Sequence, residues 1–431
     1  MRIVHLAAGA GSMYCGGCVR DAAMARALIA RGHDVQIVPL YTPLRIDADL
    51  PVTEVHLGAL NAYLQQLSGI FARVPRPIAR VLDNERLLRF VSRFAVSTKP
   101  SQLGPMTVSV IAGSDGRQRA ELSRLVDFLA CEARPDAVTI TNSMLSGVAP
   151  EMKRRLRVPV LCEVKGEDGF IDAIPEPHRS EALTLLRRNA ASVDRFISPT
   201  AAYADHMAQW LEVERERIAV VSTIIDAEAL HRAGPRLRRP FTVGYLSVIT
   251  PRKGLHVLVD ALAILVREGR DVRLRAAGQV LDRRYWREIR ATIRRERLSD
   301  RVEYLGEVSV ADKVTLLHSL SAFCQPSIKP EVLGTAALEA QAAGVPVVAP
   351  DEGVFPGMLG LTGGGVMFES GDVDALAERL AELMDDPVRA DAMGESGAAQ
   401  VARQFSAELA SETMEAILTA LEAQGDGEEA V

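Results

Sequence analysis

The chain has 431 residues, of which 48% are hydrophobic and 25% are charged, and its formal net charge is −6. This length predicts two or three domains, and this composition is typical of a globular protein with an ample core. The net negative charge argues against a general nucleic-acid-binding protein, because no global positive field would attract phosphate groups.

The first forty residues predict a βαβ unit, the building block of parallel sheets. Residues 1–8 form an apolar run typical of a buried strand. A helix is expected over residues 21–31, with Asp21 as its N-cap, and a second strand over residues 34–40. After its first eight residues the chain is too polar and glycine-rich for a signal peptide, so we expect a cytoplasmic protein.

A basic amphipathic segment at about residues 60–100 predicts helices inserted into the first domain. It holds six arginines and two acidic residues between Arg73 and Arg93. Such a face could make peripheral contact with anionic lipid, or it could roof a ligand cleft as a solvated surface. The sequence contains no run of about 18 apolar residues, so no membrane-spanning helix is expected.

After this insert the sheet of the first domain is expected to resume. Strands are predicted at residues 106–111, 137–141, 158–163 and 195–198, and helices at 118–132 and 180–191. The first domain is therefore placed at residues 1–232, before a proline-rich basic linker at 233–240.

A second βα series follows the linker and predicts a second domain at residues 240–405. Its strands are predicted at residues 241–246, 272–277, 302–305, 322–326 and 345–349, and its helices at 255–267, 285–297, 310–317, 334–343 and 374–383. Residues 406–431 predict a helix that returns to the first domain and an acidic tail, disordered from Gln424. The predicted fold class is α/β, with two Rossmann-like, doubly wound domains facing a central cleft.

The most informative stretch is PSIKPEVLGTAALEAQAAGVPVVAP, residues 326–350. A loop carries Glu331, and Gly334 and Thr335 then open a helix whose free backbone amides favour an anion such as a diphosphate. Glu339, about one turn further, can reach a ribose hydroxyl, while Glu331 can hydrogen-bond sugar hydroxyls or stabilise a developing cation. Acidic residues also favour helix starts through the dipole alone, and that alternative stays open for Glu339.

This stretch resembles the signature of the family-4 retaining glycosyltransferases of the GT-B fold (glycosyl transferases group 1). That signature is two glutamates separated by seven residues, then EA-x-A-x-G-x-P-V-V, which here reads Glu331, Glu339 and EAQAAGVPVV. The similarity continues in order through CGGCVRDAAMARALIARGHDV, GYLSVITPRKGLHVLVDAL, VEYLGEVSVADKVTLLHSLSAFCQPS and GGGVMFESGDVDALAERLAELMDDP. It covers nearly the whole chain and implies the GT-B architecture.

The resemblance also implies a role for each matching residue. Glu331 would be a catalytic residue at the donor sugar, and Glu339 would bind the ribose. Lys253, with Arg252 as a helper, would pair with the diphosphate. The remaining positions would bring backbone amides close to the phosphates or the acceptor: Gly334, Thr335, Gly16 and Gly17.

The activity implied by the resemblance is that of a hexosyltransferase (enzyme class 2.4). It would move a sugar from a nucleoside diphosphate, UDP- or GDP-linked, to an acceptor hydroxyl or amine with retention of configuration. The family needs no metal or other cofactor, because the leaving phosphate departs on the front face and helps deprotonate the acceptor. The sequence holds no His-x-x-x-His pair, and we predict no zinc site.

Two positions before and within the second domain depart from the family pattern. Val248 stands where the family commonly has an arginine, five residues before the lysine. Thr223 and Ile224 precede Asp226 where the family commonly has Asn-Gly. The loss of this arginine, together with a missing histidine described next, makes a catalytically weak or inactive GT-B-fold binding protein the alternative hypothesis.

A third departure follows the strand that ends in VLCE. Lys165 and Gly166 stand where the family often has a histidine, and Glu167 and Asp168 come next. The carboxylates of Glu167 and Asp168 could act as catalytic residues that contact the sugar or the acceptor. They could equally form an acidic surface turn.

The cysteines and glycines near the N-terminus suggest weaker alternatives. Cys15 and Cys18 form C-x-x-C at a helix entrance, which permits a redox or metal role, but a close-packed loop is the favoured interpretation. Five scattered cysteines predict no disulfide framework. Gly9 and Gly11 have no third glycine at the dinucleotide spacing, so an NAD(P)-dependent oxidoreductase remains only a minor hypothesis.

Overall fold

The computed structural model describes residues 1–8, 16–40, 50–52, 100–232, 234 and 240–429. The chain forms two compact units. The first comprises Met1–Ser222 and Ala410–Val431, and the second comprises Thr223–Leu409. The predicted helical insert and most of the predicted linker lie outside the described residues.

The first unit is built on a six-stranded parallel sheet. Its strands are β1 (Arg2–Ala7), β2 (Asp34–Pro39), β3 (Ala137–Ile140), β4 (Val160–Glu163), β5 (Arg195–Ser198) and β6 (Ile218–Val220). They lie in the order β2-β1-β3-β4-β5-β6, and all pairings are parallel. Chain order therefore reverses at β1, which lies between β2 and β3. Five of these strands confirm the sequence predictions, and β6, a three-residue edge strand, was not predicted.

Helices connect the strands of the first unit. They are α1 (Gly16–Ala30), α2 (Pro100–Ile111), α3 (Arg119–Phe128), α4 (Ala149–Leu156), α5 (Asp168–Ile171), α6 (His178–Ala190) and α7 (Ala201–Leu211). Helix α7 begins after Thr200, whose side chain accepts a hydrogen bond from the backbone amide of Tyr203. The last helix of the chain, α16 (Ala407–Glu429), also contributes to this unit, and its Glu415 contacts His33 at 3.2 Å.

The strand predicted at residues 106–111 is wrong, because this segment belongs to helix α2. Its valines and isoleucine favour a strand by local propensity, but packing decides the conformation. Helix α2 approaches helix α6 so closely that a Cβ atom on Gly104 would lie 2.8 Å from the ring of His178. Thr107 and Ile111, one helical turn apart, are both buried.

Two further predictions are wrong about where a helix begins or ends. Helix α1 begins at Gly16, so Asp21 lies inside the helix and is not its N-cap. Helix α16 keeps a helical backbone to Glu429, whereas disorder was predicted from Gln424. An existing helix extends at small cost, since each added residue gains one hydrogen bond without a new nucleation step.

The second unit contains a second six-stranded parallel sheet. Its strands are β7 (Phe241–Leu246), β8 (Val272–Ala277), β9 (Val302–Tyr304), β10 (Ala322–Cys324), β11 (Val347–Pro350) and β12 (Gly365–Phe368). They lie in the order β12-β11-β10-β7-β8-β9, so the order reverses at β7, between β8 and β10. The edge strand β12 was not predicted, and the other five confirm the predictions.

Helices cover both faces of this second sheet. They are α8 (Ala227–Leu230), α9 (Leu255–Arg267), α10 (Arg283–Arg295), α11 (Val310–His318), α12 (Thr335–Ala342), α13 (Phe355–Thr362), α14 (Val373–Asp385) and α15 (Pro387–Gln404). One core cluster joins α9 and α14 to β7 through Leu258, Leu380 and Tyr245. The other joins α12 and α13 to β10 through Leu338, Phe355 and Phe323. Burial on both faces is what a doubly wound sheet requires.

Candidate functional site

The order of strands in the second sheet brings two loops together at its carboxyl edge. One loop follows β7 and the other follows β10, and β7 and β10 are neighbours at the point where chain order reverses. The amide of Ile328 donates a hydrogen bond of 3.0 Å to the carbonyl of Arg252, which joins the loops directly. Ligands of open α/β sheets bind at this type of position. We call these loops the switch loops.

Each switch loop contributes a charged side chain that the sequence had singled out. Lys253 Nζ lies 2.5 Å from Glu331 Oε1, and Ser327 Oγ donates to the same oxygen at 2.7 Å. The side chain of Lys253 is 27% exposed to solvent and that of Glu331 is 15% exposed. The structure therefore brings two predicted site residues together, and both side chains remain accessible to a ligand.

Two glycines let the backbone of the switch loops pack closely, one against the other loop and one against the region of helix α13. Gly254 has a φ of 70°, and a Cβ atom there would lie 1.7 Å from the carbonyl oxygen of Pro326. Gly334 has a φ of 59°, and its Cβ would lie 2.5 Å from the Met358 side chain. Gly334 directly precedes helix α12, which begins at Thr335 as predicted. The first amides of α12 have no partner within the helix and can bind an anion.

Glu339, the predicted ribose ligand, lies in the second turn of helix α12. Its carboxylate Oε1 accepts a short hydrogen bond from Lys313 Nζ, which projects from helix α11. Both side chains are about 15% exposed. Lys313 was not predicted, because it lies 26 residues away on another helix and carries no local signal of this pairing. The two predicted acidic residues of the second unit are thus each paired with a lysine.

The remaining predicted residue of the first switch loop, Arg252, has an exposed side chain. It contributes its backbone carbonyl to the contact between the loops, and its guanidinium remains a predicted helper of Lys253. Val248, at the family's arginine position, accepts a hydrogen bond of 3.2 Å from the hydroxyl of Tyr245 through its carbonyl. Burial raises the pKa of that Tyr245 hydroxyl, which keeps it protonated as the donor.

In the first unit, a buried ionic network lies at the carboxyl ends of β1, β3 and β4. Asp21 of helix α1 is its centre. Lys165 Nζ lies 2.5 Å from Asp21 Oδ1, Thr141 Oγ1 donates to Oδ2 at 2.7 Å, and His5 Nε2 lies 3.3 Å from Oδ2. Glu163 extends the network, because its Oε2 lies 3.1 Å from Lys165 Nζ. Sequence reasoning missed this cluster, since Asp21 and Lys165 are 144 residues apart.

The charges of this network stabilise one another. Burial by itself would raise the pKa of Asp21, but Lys165 and His5 outweigh it and hold that pKa well below its ordinary value. Burial by itself would lower the pKa of Lys165, but Asp21 and Glu163 raise it. Lys165, which stands at the family's histidine position, is therefore a buried cation that ties α1 to β4.

Glu167, a predicted catalytic residue, is also buried. Its Oε1 accepts hydrogen bonds from the amide and the hydroxyl of Ser143, at 2.9 and 2.6 Å, and its Oε2 accepts one from the amide of Lys165 at 2.8 Å. These bonds hold the loop after β4 against the loop after β3. Direct contact of Glu167 with a sugar or acceptor stays a prediction.

Asp168, the other predicted catalytic carboxylate, is more accessible. Its Oδ1 accepts a bond of 2.6 Å from the Tyr203 hydroxyl, and its Oδ2 lies 3.0 Å from His206 Nε2. The side chains of Asp168 and His206 are 19% and 50% exposed. Burial, together with Glu167 and Asp168, raises the pKa of Tyr203. Tyr203 and His206 therefore orient a carboxylate that can still meet a ligand.

Gly16 and Gly17 were predicted to lie in a loop, but they form the first turn of helix α1. Residues 9–15, including Cys15, lie outside the described residues, and Cys18 lies within α1. Across the described ranges, no group of three or more His, Cys, Asp or Glu residues is arranged to hold a metal ion. None of the helices that the structure describes combines the length and the apolar character needed to cross a membrane.

Comparisons with known proteins identify the family of the chain. The model of the family described as "Glycosyl transferases group 1" matches residues 226–400, and that of the "Glycosyl transferase 4-like domain" matches residues 16–223. A GDP-mannose-dependent monoacylated alpha-(1-6)-phosphatidylinositol monomannoside mannosyltransferase of Corynebacterium glutamicum is 35% identical over 180 residues. That match covers 40% of this chain and 45% of the relative's length.

Two further relatives match over most of the chain. The MMP alpha-(1->4)-mannosyltransferase of Mycolicibacterium hassiacum is 27% identical over 91% of this chain and 92% of its own. The crystal structure of Anabaena Alr3699/HepE in complex with UDP covers 97% of this chain and 100% of its own, at 17% identity and a TM-score of 0.67. This likeness confirms the predicted fold class, in which each unit is a Rossmann-like domain of the GT-B type.

Proposed function

Because the chain belongs to the group 1 (family-4) glycosyltransferases, we propose that it transfers a sugar from a nucleoside diphosphate to an acceptor hydroxyl or amine with retention of configuration. The observation that carries this proposal is the convergence of Lys253 and Glu331 on adjacent switch loops, the second of which leads into helix α12 at Thr335. A cation, an accessible carboxylate and a helix start are the groups that a diphosphate sugar requires.

In this proposal the switch loops bind the donor through its diphosphate. The ammonium of Lys253 and the amides of Gly334 and Thr335 neutralise the charge that grows on the phosphate as it leaves. Because these groups supply the positive charge, we propose that the reaction proceeds without a metal ion. Arg252, on the same loop, is positioned to add a second cation. Glu339 binds the ribose, whose hydroxyls replace the ammonium of Lys313.

Glu331 acts on the sugar side of the same site. When the diphosphate engages Lys253, the Glu331 carboxylate is released from its ion pair and can accept hydrogen bonds from sugar hydroxyls. The bond from the anomeric carbon to the phosphate oxygen then breaks, and the bond from that carbon to the acceptor oxygen or nitrogen forms on the same face. The acceptor proton passes to the departing phosphate oxygen, so that charge and atoms balance.

The base of the donor is proposed to be guanine or uracil. The Corynebacterium relative is named as GDP-mannose-dependent, and the Anabaena structure holds UDP. The acceptor is proposed to bind to the first unit, where Asp168 is accessible beside Tyr203 and His206. Glu167 and the buried network around Lys165 and Asp21 hold the loops that present it.

The experiment that tests this proposal measures release of nucleoside diphosphate from a panel of donors. Purified protein is incubated with GDP-mannose, UDP-glucose, UDP-N-acetylglucosamine and UDP-galactose, with and without EDTA. We expect donors with one of the two bases to be hydrolysed slowly, at a rate that EDTA does not reduce. When an acceptor is present, we expect NMR of the transferred product to show the anomeric configuration of the donor. EDTA-sensitive release would contradict metal independence, and inversion would contradict the stereochemistry.

The alternative of an inactive binding protein rests on Val248 and Lys165, which replace the family's common arginine and histidine. That alternative predicts that donors bind and raise the melting temperature without any nucleotide release. The proposed enzyme predicts both effects with the same donor. A donor that stabilises the protein and is never consumed, over an acceptor panel of lipids, sugars and sugar phosphates, would favour the binding protein.

A further inference from the structure

Helix α10 of the second unit carries four arginines on one face. Arg283, Arg287, Arg290 and Arg294 follow one another at spacings of four, three and four residues. These intervals place all four on one side of the helix. All four side chains are exposed. The row extends over about 17 Å, at 1.5 Å per residue. We call it the arginine stripe.

The arginines of the stripe repel one another, and no neighbouring carboxylate in the described part of the chain offsets this repulsion. Like charges three or four residues apart destabilise a helix by about 0.2–0.5 kcal/mol for each pair. The nearby carboxylates are engaged by arginines outside the stripe: Glu288 pairs with Arg284 at 3.1 Å, and Glu296 pairs with Arg295 at 3.0 Å. Among the described residues, no carboxylate forms an ion pair with an arginine of the stripe.

The charge of this helix also contrasts with the rest of the chain. Residues 283–297 hold seven arginines and two glutamates, an excess of five positive charges in a chain whose net charge is −6. The residues outside this segment therefore carry a net charge of −11 (−6 minus 5). A partner of high negative charge is attracted to this helix, whereas the summed charge of the other residues repels it.

The apolar side of α10 indicates which kind of anionic partner fits. Tyr285 and Ile289 are buried in the core, and the Trp286 ring packs on Tyr304 at a centroid distance of 4.4 Å. The aromatic side chains of α10 are therefore engaged in packing, and nucleic-acid bases would lack a stacking surface on this helix. Leu281, just before the helix, is 54% exposed. A row of exposed guanidinium groups on a helix that also follows an exposed leucine fits a layer of lipid headgroups.

We propose that the arginine stripe docks this protein on a bilayer that contains anionic phospholipid. Guanidinium groups bind phosphate oxygens in a bidentate manner and are more weakly hydrated than ammonium groups, which suits a headgroup layer. The proposal is independent of the basic segment at residues 60–100, and it concerns the unit that carries the switch loops. It does not depend on the donor or on catalytic activity.

The test is cosedimentation of the full chain with two kinds of vesicle. One kind is phosphatidylcholine alone, and the other also contains phosphatidylglycerol at roughly 30%, an anionic fraction like that of natural membranes. We expect binding only to the anionic vesicles, and binding that weakens as salt is raised. The Arg287→Gln/Arg290→Gln/Arg294→Gln variant should bind roughly 100-fold more weakly, because each arginine near an anionic surface contributes about fivefold. Its melting temperature should be equal or higher, since like-charge repulsion is removed.

Two controls make the result specific to the stripe. The variant with Arg119, Arg154 and Arg179 changed to glutamine has the same net charge, and these exposed arginines lie on helices of the first unit. The affinity of this control variant for anionic vesicles should fall less than about threefold. A variant with lysine at positions 287, 290 and 294 should retain most of the affinity, because it keeps the positive charge. Undiminished binding of the stripe variant would overturn the proposal. So would a parent protein that ignores anionic vesicles but binds RNA or heparin through the stripe.

Discussion

The Nζ atom of Lys253 lies 2.5 Å from Oε1 of Glu331, although 78 residues separate them in the chain. The pair closes the space between the two switch loops at the point where strand order reverses. In the proposed reaction, these two groups serve opposite ends of the scissile bond: the lysine serves the phosphate and the glutamate serves the sugar. The ion pair is thus a resting arrangement that the donor must replace, and the same holds for Lys313 and Glu339.

Replacing Lys253 tests the diphosphate contact. Lys253→Ala should raise the dissociation constant for the cognate nucleoside diphosphate about 10- to 100-fold, since a charged hydrogen bond contributes about 1.5–3 kcal/mol. Isothermal titration calorimetry measures this directly. Lys329→Ala, which removes an exposed lysine from the second switch loop, should change the constant less than twofold. Equal affinities for the parent and the Lys253 variant would refute the contact.

Replacing Glu339 tests the ribose contact. Glu339→Ala should weaken binding of the nucleoside diphosphate about tenfold, because the carboxylate no longer accepts hydrogen bonds from the ribose. The parent should bind the 2′,3′-dideoxy analogue of the ligand about tenfold more weakly than the ligand itself. The Glu339 variant should bind the ligand and its analogue with nearly equal affinity, because the contact is already absent. Glu378→Ala, an exposed change on α14, serves as the control. If the loss of affinity from the Glu339 substitution and the loss from removing the ribose hydroxyls are independent, so that the two factors multiply, Glu339 does not bind the ribose.

Adding a methyl group at Gly254 tests how tightly the switch loops pack. Gly254→Ala should lower the free energy of unfolding by at least about 2 kcal/mol, because the new Cβ would meet a backbone oxygen and the φ is positive. The matched change Gly269→Ala has a similar φ of 81° but no atom within 4 Å of the new Cβ. It should cost only about 1 kcal/mol in urea unfolding. Equal losses in the two variants would show that the loops can separate without cost.

The buried network of the first unit predicts a pH dependence of stability. The pKa of Asp21 is lowered in the folded state, so its contribution is fully present above its ordinary value of 3.8 and is lost as pH falls toward the folded value. Lys165→Met leaves this carboxylate buried without its main cation, which should lower the free energy of unfolding at pH 7 by about 3–5 kcal/mol. The variant should also lose less stability than the parent between about pH 5 and pH 3.

A surface pair provides the control for this pH prediction. Lys153 Nζ lies 2.8 Å from Asp194 Oδ1, and the lysine side chain is 37% exposed. Lys153→Met should therefore cost less than about 1 kcal/mol and leave the pH profile nearly parallel to that of the parent. Urea unfolding at pH 7 and pH 4 measures both variants. A Lys165 variant as stable as the Lys153 variant would contradict the proposed role of the network.

The second unit was predicted well because its signals are local. Gly334 and Thr335 open a helix as expected, since a glycine of positive φ followed by helix-forming residues specifies that turn by itself. The inner strands of both sheets are predominantly apolar, although Arg273 and Arg275 interrupt β8, and local patterning also identifies them. The edge strands β6 and β12, with three and four residues, are too short to give such a pattern.

What the sequence could not show depends on contacts between distant residues. The run that ends at Ile111 favours a strand locally, and only its packing against α6 makes it a helix. Likewise, no local pattern pairs Lys313 with Glu339 or Asp21 with Lys165. The order of strands brings these side chains together, so they become visible only in the folded chain.

The most direct measurement of the central claim is a crystal structure of the protein soaked with the donor that the release assay identifies. We predict that the diphosphate lies between Lys253 Nζ and the amides of Gly334 and Thr335, with the ribose on Glu339 and both lysine–glutamate pairs opened. A donor bound elsewhere, or density for the diphosphate while Lys253 still contacts Glu331, would contradict it.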